Sequence, residues 1–120
     1  MPSYVDELSE DRARVVKALN SLIEEQEELV RDLNDALTEY REVLDRLIVR
    51  TMIYRNIFGA TQSHTVMAEK DAQDASRPVT ETTAQLERET EVLGVYREAV
   101  KQIDNGAPLS MALGRFPMGA

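Results

Sequence analysis

Leu19-Asn-Ser-Leu22-Ile23-Glu-Glu-Gln26-Glu-Glu-Leu29-Val30-Arg-Asp-Leu33 places Leu19, Leu22, Gln26, Leu29 and Leu33 at alternating steps of three and four. The same frame extends outward from Val5 through Leu8, Arg12 and Val15, and onward through Ala36, Tyr40, Val43, Leu47, Arg50, Tyr54 and Ile57. Only Arg12, Gln26 and Arg50 clearly break the stripe. A sustained 3/4 alternation is the pattern of helices packed along a seam, so the chain is read as all-α, a long helical hairpin or coiled-coil bundle. Tyr4 to Phe58 contains neither Pro nor Gly. One helix is therefore expected over about 4–58, capped by Ser3 with Asp6 at its positive end and closed by Gly59. At about 1.5 Å per residue it would run roughly 80 Å.

The apolar face is wider than a two-stranded seam requires. Val16, Ile23, Val30, Leu37 and Leu44 recur every seven residues beside the frame, and three apolar positions per heptad describe a helix with more than one neighbour. From Leu47 to Phe58 apolar side chains cover most of the circumference, so this end of the helix is expected to be enclosed and best buried. Gln26, polar at a seam position, is the candidate for fixing register, the alternative being a Gln at the edge of a broad face.

Residues 59–64 read as a turn. The frame then resumes from Thr65 through Ala68, Ala72, Ala75, Val79, Thr82, Leu86, Glu89, Leu93, Tyr96, Val100 and Ile103. Pro78 lacks an amide donor and disfavours helix at Arg77, which predicts a short helix at about 65–76, a kink or break, and a second helix at about 78–104, as one kinked helix or two. Asn105-Gly106 followed by Pro108 is a stop. A single helical domain over 1–105 is thus followed by an extended tail over 106–120, bearing Leu109, Met111, Leu113, Phe116 and Met118. Those apolar side chains predict that the tail docks on its own or another subunit.

The 120 residues carry 22 Asp and Glu against 14 Lys and Arg, and no Cys. Disulfides and thiol chemistry are excluded, while the redox compartment stays open. Residues 6–45 hold 13 acidic and 5 basic side chains, and the remainder 9 of each. An acidic arm repels phosphate, so nucleic-acid binding through that half is not expected. With no long apolar run and no basic-then-apolar start, neither a membrane span nor a signal peptide is expected. The compartment is left undetermined, cytoplasm or a particle.

Residue pairs three or four apart within Glu24-Glu25-Gln26-Glu27-Glu28 could meet a cation weakly, but the run reads as a solvated face. The sole histidine, His64, falls in the turn without a Glu-x-x-His partner or a nucleophile elbow, and no phosphate-binding glycine motif occurs. No catalytic, cofactor or metal residue is assigned, and no resemblance to a known family rests on these residues. The expected function is a non-enzymatic structural subunit, a component of a virion or another large particle. It would self-associate, alone or with other protein subunits, through Leu8, Val15, Leu19, Leu22, Leu29, Leu33, Tyr40 and Leu47, with Leu109, Met111, Leu113 and Phe116 from the tail. The rival is an adaptor or chaperone-like protein that holds a different partner on the same apolar face and tail.

Overall fold

The computed structural model describes residues 11–114, which form three helices: α1 (Arg12–Phe58), α2 (Ser63–Asp104) and α3 (Leu109–Gly114). The chain is all-α and built on a helical hairpin, with no strand among the described residues. The helix start expected at Ser3 lies outside them. At the described end of α1, the Asp11 carboxylate accepts from the Arg14 amide at 3.2 Å. That is an N-cap contact, satisfying one of the amides a helix leaves unpaired.

Two compact units follow. The first joins 11–30 to 88–114, and the second is Arg31–Glu87.

The second unit contains the turn. Gly59 sits at φ 86°, a conformation that costs L side chains steric strain, and its amide donates to the Arg55 carbonyl at 3.0 Å. Its carbonyl accepts from the Thr65 hydroxyl at 2.7 Å. Thr65 is completely buried, so one side chain both fills the bend and satisfies its backbone. Beyond the bend α2 faces inward with Thr65, Ala68 and Thr82 buried and Ala72, Ala75 and Val79 half-buried. On α1 the buried positions are Leu37 and Thr51. Two ion pairs tie the helices, Arg50 with Asp71 at 2.9 Å and Arg55 with Glu69.

Helix α2 does not break at Pro78. It runs uninterrupted from Ser63 to Asp104 with the proline inside it, correcting the division into 65–76 and 78–104. Proline removes one backbone bond and crowds the preceding turn. A single lost bond is outweighed because inward-facing side chains lie on both sides, Ala68 and Ala75 before it and Val79 and Thr82 after. Helix stability in proteins comes mostly from such packing.

The first unit holds the principal apolar cluster. Val15 and Leu19 of α1, Ala99 and Ile103 of α2, and Leu109 and Ala112 of α3 are all buried together, with Val16, Tyr96, Val100 and Leu113 packed around them. Helix α2 ends in a Schellman arrangement: Gly106, at φ 89°, donates to Ile103 and Ala107 donates to Gln102, satisfying the last carbonyls. The tail over 106–114 is therefore not extended. Pro108 accepts from the Met111 and Ala112 amides and starts α3, which is short enough to fit between the stop at Gly106 and the residues after Gly114. Val15 and Val16 therefore pack in a cluster that includes the chain's own tail.

Candidate interaction surfaces

The frame residues separate into inward and outward sets. In the first unit Val15 and Leu19 are buried in the cluster, whereas Leu22 and Leu29 are 40% and 36% exposed. Leu109 is buried, Leu113 half-buried and Met111 exposed. In the second unit Leu33 and Leu47 are half-buried and Tyr40 is 41% exposed. Leu8 and Phe116 lie outside the described residues. Inward positions of α1 in the second unit include Leu37, Leu44 and Thr51, spaced by seven. They belong to the row that the sequence places beside the seam. Two neighbouring apolar rows suffice for one partner helix, and the third is left facing outward.

The largest correction concerns residues 47–58. Rather than enclosed, Ile48, Val49, Met52, Ile53, Ile57 and Phe58 are all exposed, Ile57 to 66%. Helical spacing explains why. Thr51 marks the inward direction, and at 100° per residue Val49, Ile53 and Ile57 fall on the far side of α1. With two helices in the unit, no third element is present among its residues to cover them. Beside them runs an open groove of about 250 Å³ lined by Ile48, Thr51, Met52 and Arg55 of α1 and by Glu69, Ala72 and Gln73 of α2.

At the bend His64 is not an isolated loop side chain. It opens α2 and stacks on Phe58, with ring centres 4.8 Å apart, while Tyr54 meets both rings edge-on. Such clusters stabilise by offset and edge-to-face contact. Sequence reading missed this trio, although Tyr54 and Phe58 are four apart and therefore share a helix face.

Polar contacts also join the helices of the first unit. The Gln26 amide donates to the Glu89 carbonyl at 2.8 Å and to its carboxylate at 2.6 Å. Gln26 is thus bonded to the facing helix rather than left reaching for water. The Arg12 guanidinium donates to the carbonyls of Ile103, at 3.2 Å, and Ala107, at 2.5 Å, tying α1 to the α2 stop. Within the acidic run Glu24, Glu25 and Glu28 are exposed, and Glu27 comes within 3.8 Å of Arg97. That distance and exposure make a weak pair.

Among the described residues no three His, Cys, Asp or Glu side chains are grouped to hold a metal ion, and no helix is long and apolar enough to cross a membrane. A second open groove, of about 610 Å³ in the first unit, is bordered by Arg12, Ala13, Val16, Lys17, Asn20, Ile103 and Asp104. Its lining mixes the charged side chains of Arg12, Lys17 and Asp104 with Asn20 and aliphatic groups. No family model matches the chain, and no match is found among curated proteins or solved structures.

Proposed function

We propose that this chain is a non-enzymatic assembly subunit that self-associates through its helices, as part of a larger particle such as a virion. One observation carries the reading: Ile48, Val49, Met52, Ile53 and Ile57 stand exposed on one short stretch of α1. Contiguous apolar patches of this kind on a soluble chain mark contact sites, and identical copies are the simplest source of a partner. Multi-angle light scattering across a concentration series tests it. The expected result is a mass that rises with concentration, accompanied by a concentration-dependent melt. A monomer of unchanging mass at micromolar concentration would end the reading.

A second observation favours the adaptor reading. Met52, Met67 and Met111 are each more than half exposed, and flexible, polarisable methionine suits surfaces that repack around different partners. An adaptor would instead be partly disordered or aggregation-prone when its partner is missing, with a shallow, uncooperative melt in place of a cooperative, concentration-dependent one.

A further inference from the structure

The two outward apolar rows of α1 differ in local charge, over stretches bounded by Asp45 on one and by Lys17 and Arg31 on the other. Residues 46–58 contain Arg46, Arg50 and Arg55 and no acid, while residues 18–30 contain Glu24, Glu25, Glu27 and Glu28 and no base. In the second unit Arg46, Val49, Ile53 and Ile57 follow one another at steps of three, four and four, which keeps them along one helix face. Val49, Ile53 and Ile57 are exposed, and so is Arg46. Arg50 and Arg55 are taken up by Asp71 and Glu69. Arg46 has no ion pair among the described residues.

In the first unit Leu22, Glu25 and Leu29 follow at steps of three and four, all exposed, with Glu25 between the two leucines on their face. Glu25 likewise has no ion pair among the described residues. One surface is an apolar row edged by a free cation, and the other an apolar row edged by a free anion.

Resting on the self-association reading, we propose that the Arg46–Val49–Ile53–Ile57 row of one copy docks on the Leu22–Glu25–Leu29 row of a second, with Arg46 facing Glu25. Self-pairing of the Leu22–Glu25–Leu29 row would set Glu25 against Glu25, and parallel self-pairing of the other row would set Arg46 against Arg46, contacts that interfaces avoid. Because the two surfaces differ, the contact is heterologous. Each added copy leaves one surface of each kind free, and the array grows or closes into a ring.

Charge exchange in the full chain tests it by light scattering. Arg46→Glu and Glu25→Arg should each weaken association roughly ten-fold or more, and the double variant should regain most of the loss, because the pair is re-formed in reverse. A complementation arm uses Ile53→Glu and Leu22→Glu, each at an exposed position. Either variant alone should fail to assemble, yet an equal mixture should form dimers and stop there, since one intact surface of each kind remains. A double charge variant as weak as the two singles combined would overturn the proposal. So would a mixture that stays monomeric, or either single variant that still dimerises by itself, the latter being the outcome of a symmetric contact between like rows. If the unaltered chain assembles and all four variants assemble equally well, this interface is wrong and self-association stands. If the unaltered chain is a monomer, both fall.

Discussion

Leu37→Ala and Ile53→Ala, compared in the same unit, invert the stability order that the sequence pattern implies. Leu37 is 4% exposed and Ile53 49%. Truncating Leu37 removes about three buried carbons, roughly 2.4 kcal/mol at ~0.8 kcal/mol per methylene. A cavity term adds to this, although a layer only two helices thick lets neighbours and water relax into the gap. The expected loss is therefore about 2–3 kcal/mol, the lower part of the range for buried leucines. Truncating Ile53 removes side-chain carbons that are half in water already and leaves no cavity, so the loss should be about 1 kcal/mol or less. Both residues belong to the Arg31–Glu87 unit, which keeps the comparison within one part of the fold. Urea titration at a protein concentration below the association range would read both values, with unchanged slopes as the check that the unfolded state is the same. Equal losses, or a larger one at Ile53, would refute the assignment of inward and outward rows.

Deleting residues 107–120 should expose Val15 and Leu19, and hydrogen exchange at their amides should accelerate while Leu37 stays protected; unchanged exchange at both would mean that α3 contributes nothing to the first cluster. Gln26→Ala should cost about 1–3 kcal/mol, because the half-buried seam loses both bonds to Glu89 and leaves that carboxylate to find water. A thermal melt unchanged by the substitution would remove the register role. Pro78→Ala should raise the melting temperature, since it restores a backbone bond within a continuous helix, by up to ~3 kcal/mol of stability. A lowered melting temperature would favour two helices meeting at that point.

The 3/4 frame, the glycine at the bend and the Asn105-Gly106 stop were legible because each rests on local physics: periodicity, left-handed backbone and lost donors. The choice among three apolar rows was not. Heptad spacing marks a broad face without saying which arc a single partner helix covers, and Leu37 and Leu29 look equivalent until α2 is in place. Residues 47–58 misled for the same reason, since an all-round apolar segment is enclosed only if enough neighbours exist within the chain. Pro78 was read by its own cost, whereas the packing on either side decided the outcome. In the tail Leu109 and Leu113 pack as their apolar character suggests while Met111 stays exposed, and the glycines and prolines concealed a helix as short as six residues.

In the second unit α2 turns small side chains inward, Ala68, Ala72 and Ala75, while Ile53, Ile57 and Met67 face outward. If the chain assembles as proposed, an unassembled copy leaves these apolar side chains in water, and the second unit is expected to open ahead of the first. In a cell, transient opening hands a chain to proteases, and small differences in stability change abundance several-fold. Copies made in excess of available neighbours would be cleared, while incorporated copies persist. The proportions of such a particle would then be set by turnover of orphans as much as by synthesis.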